Sequence, residues 1–324
     1  MNVLVTGANG LLATNIIVQL LAQDYGVTGL IRDPRKFLLP AHPKLQLIPG
    51  DITDSACVMR VAANCDYIIH CAASTSQNLL RYADYSLINV TGTEHIIQAA
   101  IANGIKRVVY VGTANTFGYG SLTTPGDETL PPREPFASAW YAKSKLEGQY
   151  VAMSATGNIE VVVVSPTFML GPYDSKPSSG AIIRMGYGKR VVFHPPGGKN
   201  FVHVDDVARG TVEALTAGKS GEAYLLAGEN LSYRQFFSLL AQQTNQRTLL
   251  VCLPKLLLIG IGYIGDLLRT IGIKTALSST NMKILCVHNY YTNRKAREEL
   301  HISFRPVAQA IDDAVDWFKK QKML

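Results

Sequence analysis

The sequence predicts an α/β fold in which a doubly wound parallel sheet is joined to a smaller, mostly helical C-terminal lobe. Segments with apolar residues at helical spacing alternate with strand-like apolar runs, namely residues 2–6, 27–31, 45–48, 66–70, 107–111 and 160–164. This alternation is typical of a parallel sheet with right-handed helical crossovers. After Pro166 the regular pattern ends in a stretch rich in Gly, Pro and Ser at 171–199.

The first strand-like run leads into a glycine-rich turn and then into a helical pattern. Strand, glycine turn and helix in this order are the context in which a dinucleotide pyrophosphate binds. Gly7 permits the tight turn, and Gly10 allows the pyrophosphate to approach the backbone at the helix N-terminus. We predict a Rossmann dinucleotide site, against the alternative of a glycine-rich turn without ligand, with contacts from Gly7, Asn9, Gly10, Leu11 and Leu12.

Basic residues follow the second strand-like run and bear on the choice of cofactor. A carboxylate at this strand end suits the ribose 2′-hydroxyl of NAD, whereas an arginine suits the 2′-phosphate of NADP. Arg32 is the first polar residue here, and Lys36 lies near it in sequence. A guanidinium binds phosphate through paired donors, so we predict NADP (NADPH) held by Arg32 and Lys36. Asp33 keeps NAD as an alternative.

Length, charge and cysteine content restrict the class of protein. A chain of 324 residues can bury one large core and a smaller lobe. The net charge of +7 suits a phosphorylated cofactor or acidic substrate, but it is too dispersed along the chain to predict nucleic-acid binding. Five cysteines without a Cys-x-x-Cys pair, and a start without a signal-peptide pattern, predict reduced thiols in the cytoplasm.

The longest apolar stretch, 256–265, is too short to span a bilayer. We predict that it forms a helix buried in the second lobe. The alternatives are an apolar entrance for substrate or a face that touches a membrane.

The chain divides into two discontinuous parts. Residues 1–165 plus 201–227 are predicted to form the dinucleotide-binding domain, because 222–226 has a strand-like pattern that returns to the sheet. Residues 166–200 plus 228–324 are predicted to form the substrate lobe, which should lie across the cofactor and shape a pocket.

The segment Tyr141-Ala142-Lys143-Ser144-Lys145 carries the candidate acid/base. Residues i and i+4 share one helix face, so Tyr141 and Lys145 can point into the same cleft. A free tyrosine has a pKa near 10, and a nearby ammonium is expected to lower it toward the working range. A hydroxyl at the end of strand 107–111 can donate to a carbonyl oxygen as it gains charge. Thr113 is the candidate for this role, and Thr116 is the second choice.

With these motifs in order, the chain resembles an extended short-chain dehydrogenase/reductase over nearly its whole length. The resemblance rests also on Gly50-Asp51-Ile52, His70-Cys71-Ala72-Ala73, Asn89-Val90-Thr91-Gly92-Thr93, Ser165-Pro166-Thr167 and Val202-His203-Val204-Asp205-Asp206-Val207. It implies an adenine contact from Asp51 and further cofactor contacts from Ile52, Cys71, Ala72, Ala73, Asn89, Pro166, Thr167 and Phe168, besides Tyr141 and Lys145.

Within the family, the segments 31–34 and 166–172 are most similar to the dihydroflavonol-reductase-like branch. This similarity implies an NADPH-dependent reductase of a relatively apolar ketone or aldehyde. Hydride would pass from nicotinamide C4 to the carbonyl carbon, Tyr141 would protonate the oxygen, and Thr113 would hold it. Relatives often pair through helices beside the Tyr/Lys segment, which allows a homodimer.

Two alternatives to this function remain. An NAD-dependent sugar-nucleotide epimerase or dehydratase is disfavoured, because Ala114 and Asn115 stand where the dehydratases carry an Asp-Glu pair, and Ser165 stands where epimerases often have arginine. A redox-sensing regulator that binds NADP without catalysis is disfavoured because relatives of that type commonly lose the Tyr/Lys pair.

Most of the remaining histidines and acids are expected to have structural roles. No metal site is predicted: Asp205 is expected to cap a helix beside His203, and His70 to be a core histidine with its hydrogen bonds satisfied. His194 is a candidate for substrate contact. We expect an apolar pocket wall formed by Trp140, Phe168, Met169, Leu79 and Tyr82. The alternative is that these side chains only pack in the core.

Overall fold

The computed structural model describes residues 1–324. It contains thirteen strands: β1 (Asn2–Thr6), β2 (Gly26–Ile31), β3 (Leu45–Pro49), β4 (Tyr67–His70), β5 (Arg107–Val111), β6 (Glu160–Pro166), β7 (Phe168–Leu170), β8 (Val191–His194), β9 (Gly198–His203), β10 (Ala223–Leu226), β11 (Glu229–Ser232), β12 (Leu249–Cys252) and β13 (His288–Asn289).

Twelve α-helices connect and flank these strands: α1 (Leu11–Ala22), α2 (Ser55–Ala62), α3 (Ala83–Ser86), α4 (Gly92–Ala102), α5 (Trp140–Ser154), α6 (Ala181–Gly186), α7 (Val204–Glu213), α8 (Tyr233–Gln243), α9 (Lys255–Thr270), α10 (Ser279–Leu285), α11 (Arg294–Glu299) and α12 (Val307–Lys320). A π-helical turn, Leu87–Thr91, joins α3 to α4, and 3₁₀ turns cover Pro34–Lys36 and Ala114–Thr116.

The main sheet confirms the predicted fold class. Its seven strands lie in the order β10-β6-β5-β4-β1-β2-β3, and all neighbouring pairs are parallel. Strand order reverses between β1 and β4, and parallel sheets bind ligands outside the carboxyl ends of the strands at such a point. The topology therefore directs attention to the ends of β1 and β4.

The sheet is buried on both faces, as its continuous apolar strands require. Residues 161–164 of β6 are fully buried, as are Val3, Leu4 and Val5 of β1. On one face α1 packs against α7, and on the other α4 packs against α2 and α5. These contacts hold the strand ends, and the turns that follow them, in fixed positions.

The C-terminal lobe is mostly helical, as predicted, but also contains two small sheets. One has the order β11-β9-β13 with β7 added beside β9, and the other pairs β12 with β8. These strands have two to six residues, which is too short for an alternating pattern to stand out in the sequence. The division into domains at 165, 201 and 227 stays a prediction.

The expectation that 256–265 forms a helix is confirmed, but the expectation that this helix is buried is wrong. The segment is helical, but Leu256, Ile264 and Leu267 of α9 are exposed. Only Leu258, Gly262 and Gly265 are buried, because one side of the helix packs against the segment that leads into α10. None of the helices combines the length and apolar character that crossing a membrane requires.

The predicted cap at Asp205 is also wrong. The N-cap of α7 is His203, whose Nδ1 accepts from the Asp205 amide at 3.0 Å, while its Nε2 lies 2.9 Å from an Asp313 carboxylate oxygen. Because Val204 is already helical, the amide of Asp205 needs an acceptor before its own position in the chain. Asp205 instead pairs with Arg305 from the first turn of α7.

Candidate active site

A cleft of about 1100 Å³ opens at the carboxyl ends of the main strands and extends beneath the C-terminal lobe. It brings together most of the predicted site residues from segments far apart in sequence. The predicted residues that line it are Gly7, Asn9, Gly10, Leu11, Leu12, Arg32, Asp51, Ile52, Cys71, Ala72, Ala73, Thr113, Tyr141, Lys145, Pro166, Thr167 and Phe168.

The glycine turn lies at the N-terminus of α1, where the pattern predicts it. Gly7 has φ +68°, and a Cβ at this position would lie 2.9 Å from the Ala72 Cα, so a side chain is excluded by both conformation and space. The Gly10 amide donates to the Gly7 carbonyl at 2.8 Å, and Gly10 is the N-cap of α1. With no acidic residue in its first turn, α1 offers its N-terminus to an anion.

Arg32 and Asp33, the two candidate cofactor residues after β2, have different surroundings. Asp33 accepts from Arg35 Nε at 2.9 Å and lies 3.2 Å from Lys36 Nζ; hydrogen bonds from these cations lower the pKa of Asp33 to about 2. Its carboxylate is thus engaged outside the cleft. Arg32 lines the cleft, is exposed, and has no ion-pair or hydrogen-bond partner. Arg32 is therefore the group available to a phosphate.

A hydrogen-bonded core beneath the cleft orients the segment after β4. The Thr6 hydroxyl accepts from the amides of Cys71 at 3.1 Å and Ala72 at 3.0 Å. It also lies 2.8 Å from His70 Nδ1, and His70 Nε2 lies 3.2 Å from the Thr93 hydroxyl. Burial lowers the pKa of His70 to about 3, so the ring is neutral. His70 is the satisfied core histidine that the sequence predicts.

Asn89 and Lys36 are the two predicted cofactor residues that do not line the cleft. Asn89 is fully buried in the π-helical turn, where its amide nitrogen donates to Ser144 Oγ at 2.9 Å and to the Ser74 carbonyl at 3.1 Å. It therefore links α5 to the segment after β4. Lys36 points to solvent and pairs with Asp33. The motif around Asn89 can be recognised in the sequence, but it does not show whether the side chain points into the cleft or into the core.

Helix α5 presents Tyr141 and Lys145 on the side that faces the end of β5. Lys145 Nζ is buried, donates to the Val111 carbonyl at 2.7 Å, and lies 4.1 Å from the centre of the Tyr110 ring. Burial lowers the pKa of Lys145 to about 7, an effect that Cys71 partly opposes. At neutral pH the ammonium form is thus only part of the population.

The expected lowering of the Tyr141 pKa by Lys145 is not found. Burial raises the pKa of Tyr141 above its usual value, and the neighbouring Thr113 hydroxyl, rather than Lys145, opposes that rise. The reason is that burial lowers the pKa of Lys145 itself to about 7, so the amine has already lost its charge at the pH where Tyr141 would ionise. A raised pKa keeps the phenol protonated at neutral pH, which is the form required of a proton donor.

The structure separates the two candidate threonines. Thr113 lines the cleft at the end of β5 and interacts with Tyr141. Thr116 is buried behind it, where its hydroxyl donates to the Thr113 carbonyl at 2.8 Å and to Gln149 Oε1 at 3.2 Å. Only Thr113 is placed to meet a ligand.

The wall of the cleft beyond Tyr141 is largely apolar, but only part of the predicted set forms it. Phe168 and Met169 line the cleft. The other three wall candidates, and His194 as the candidate for substrate contact, lie elsewhere. His194 is buried with its Nδ1 near the Pro195 carbonyl, and Tyr82 donates to Glu147 on the outer surface of α5. Trp140 and Leu79 both contact Arg269 of α9 instead of the cavity.

Lys199 and Met282 also line the cleft, although neither was predicted. Lys199 lies on β9 with its ammonium 5.2 Å from the centre of the Phe168 ring; burial lowers its pKa to about 8. Lys199 lies three residues before the Val202–Val207 motif, and that proximity was a detectable signal. Met282 comes from α10, and no local pattern links that helix to the cleft.

Comparisons with known proteins extend these observations. The model of the NAD dependent epimerase/dehydratase family matches residues 3–227. A putative dihydroflavonol 4-reductase of Synechocystis sp. is 28% identical over 97% of this chain and 94% of its own. Sterol demethylase protein B of Methylococcus capsulatus is 26% identical over the full length of both chains.

A solved structure gives the same result for the fold. The crystal structure of gox2253 superposes with a TM-score of 0.85 at 26% identity and covers 99% of both chains. The similarity thus extends through the C-terminal lobe and is not confined to the dinucleotide-binding half.

Proposed function

Because the chain belongs to the NAD dependent epimerase/dehydratase family, we propose that it is an NADPH-dependent reductase of a relatively apolar ketone or aldehyde. Members of this family bind NAD(P), and the chain is an oxidoreductase of the extended short-chain dehydrogenase type. The observation that carries the finer proposal is the meeting of Thr113, Tyr141 and Lys145 in one cleft with the glycine turn.

The residues of the cleft fit a dinucleotide phosphate along its length. Gly7 and Gly10 leave the backbone open to the pyrophosphate, and Asp51 and Ile52, which line the same cleft, would contact the adenine. The unpaired Arg32 supports NADP over NAD because Asp33 is already held by Arg35 and Lys36. Lys145 would bind the hydroxyls of the nicotinamide ribose. When bound, the reduced nicotinamide supplies a hydride.

Two residues of the chain bind and protonate the carbonyl oxygen of the substrate. Thr113 holds the carbonyl oxygen by donating a hydrogen bond that strengthens as negative charge develops there. Tyr141 transfers its phenolic proton to the same oxygen, so that hydride and proton together convert the carbonyl to an alcohol. Because burial raises the pKa of Tyr141, the phenol carries the proton that this step requires at neutral pH.

An apolar substrate is supported by the far wall of the cleft and by the relatives. Phe168, Met169 and Met282 line this wall, which also carries two cations, Lys176 and Lys199, the latter close to Phe168. Two relatives that match along nearly the whole chain are named for dihydroflavonol and sterol chemistry. Homodimer formation and a cytoplasmic location stay predictions.

The proposal is tested by following NADPH oxidation in the presence of flavanone, steroid and aliphatic ketones or aldehydes. We expect at least one apolar carbonyl to be reduced with one alcohol formed per NADPH consumed. Tightly retained NAD released on denaturation, together with interconversion of sugar nucleotides, would instead establish the epimerase alternative. Binding of NADPH with no turnover of any carbonyl would contradict the reductase.

The pH dependence of the reduction should follow Lys145. Its pKa of about 7 means that the ammonium is present below that pH and is lost as the pH rises through it. We expect kcat/KM for a non-ionisable ketone to fall several-fold between about pH 6 and about pH 8. Lys145→Met should have low activity and should lack this decline. A wild-type profile that stays flat across this interval would contradict the assignment.

A further inference from the structure

The outer side of α9 carries an apolar face along the length of the helix. It consists of Leu256, Leu257, Tyr263, Ile264, Leu267 and Ile271, whose exposed fractions lie between 50% and 83%. The residues recur at intervals of three, four and seven, so they share one side of the helix and continue just past its end. We call these six residues the α9 face.

The opposite side of α9 is held firmly against the protein. A Cβ on Gly262 would lie 2.7 Å from the Ser279 Cα, and one on Gly265 would overlap the Leu277 carbonyl. These contacts require glycine and bring the helix backbone directly onto Leu277 and the first residue of α10. The helix is therefore packed on one side, and the α9 face is left for contact outside the chain.

The charges around the α9 face are mostly positive. Between 255 and 283 the chain has the cations Lys255, Arg269, Lys274 and Lys283 and a single carboxylate, Asp266. Asp266 accepts from the Ser279 amide at 3.2 Å and 3.3 Å. None of the four cations forms an ion pair, but Arg269 is held by the Thr275 and Leu79 carbonyls, which leaves the three lysines as the cations without a hydrogen-bond partner. The face is thus complementary to an apolar surface that is bordered by negative charge.

The α9 face also adjoins the cleft. Ala276, just beyond α9, and Met282 and Leu285 of α10 line the cleft wall. Arg269 of α9 donates to the Leu79 carbonyl at 2.6 Å and lies 5.7 Å from the centre of the Trp140 ring, next to Tyr141 in sequence. A molecule that leaves a surface in contact with α9 would need to travel only a short way to the cleft.

The composition of the α9 face argues for lipid over protein. Energetically dominant residues of protein interfaces are mainly Trp, Tyr and Arg, whereas five of these six are Leu or Ile. A two-fold contact between copies would also place the same cations near one another. A helix with an apolar face and flanking cations is suited to the plane of an anionic bilayer surface.

We propose that the α9 face docks onto an anionic lipid bilayer and that the apolar substrate enters the cleft from that surface. Only the route of the substrate rests on the proposed function. Docking itself is independent of turnover, so the two can fail separately.

Docking is tested by sedimenting the full-length protein with vesicles of phosphatidylcholine, with and without phosphatidylglycerol. We expect binding to the mixed vesicles that weakens with added salt and is smaller for phosphatidylcholine alone. Leu267→Glu should reduce the partition coefficient by about tenfold or more, because it inserts a charge into the apolar contact. Leu122→Glu is the matched control, since both leucines are 66% exposed, and it should bind as the wild type does.

Thermal unfolding of both variants checks that they fold, and gel filtration reports the oligomeric state. Absence of wild-type binding to either vesicle would overturn the proposal, as would equal binding by Leu267→Glu. A dimer that Leu267→Glu dissociates, without vesicle binding, would assign the α9 face to a second copy of the chain and would equally overturn lipid docking.

Discussion

Replacing Tyr141 by Phe is expected to lower kcat for carbonyl reduction by roughly 10²- to 10⁴-fold, the usual contribution of a positioned general acid. The phenol is the group whose proton reaches the substrate oxygen, and phenylalanine keeps the ring while removing that proton. Affinity for NADPH should stay within a few-fold, because the glycine turn and Arg32 are unchanged. Single-turnover kinetics and a separate NADPH titration measure the two effects.

Tyr150→Phe is the control for the Tyr141 variant. Tyr150 lies on the same helix, is 61% exposed and is remote from the cleft lining, so the loss of its hydroxyl should leave kcat unchanged. Near-normal turnover by Tyr141→Phe with every accepted carbonyl would remove the tyrosine from the mechanism and leave the cleft as a nucleotide-binding site alone.

Replacing Arg32 by Ala is expected to raise the Kd for NADPH by roughly tenfold to a hundredfold. A hydrogen bond to a charged group contributes about 1.5–3 kcal/mol, and Arg32 has no other partner in the protein. The Kd for NADH should change little, since that cofactor lacks the 2′-phosphate. Fluorescence titration with both dinucleotides gives the ratio directly.

Arg35→Ala is the matched control, because the Arg35 side chain is 89% exposed and bound to Asp33. It should leave the preference between NADPH and NADH nearly unchanged. If Arg32→Ala weakens the binding of NADPH and NADH equally, Arg32 does not contact the 2′-phosphate. If the wild type prefers NADH, Asp33 is the residue that selects the cofactor.

Local patterns were enough to predict the sheet and the cofactor turn. Every strand of the main sheet except the edge strand β3 contains a run of buried apolar residues, and burial on both faces imposes that composition whatever the rest of the chain does. The glycine turn is equally local: the positive φ of Gly7 and the approach of Ala72 leave one residue type. The Tyr141–Lys145 spacing follows from helix geometry alone.

Choices between similar residues required the tertiary structure. Thr113 and Thr116 are three residues apart, and only the turn after β5 decides that one faces the cleft while the other packs against Gln149. Asn89 belongs to a matching motif yet faces inward, because Gly148 brings α5 close enough to bury it. A motif lists which residues occur and does not state the direction of each side chain.

The sequence by itself determined the fold class, the nucleotide turn and the candidate acid/base, because these depend on backbone conformation and on periodic burial. Only the tertiary structure decided the pKa of Lys145, the freedom of Arg32 beside an engaged Asp33, and the exposure of α9. Those properties depend on desolvation and on partners from distant segments. Neither can be read from the spacing of residues along the chain.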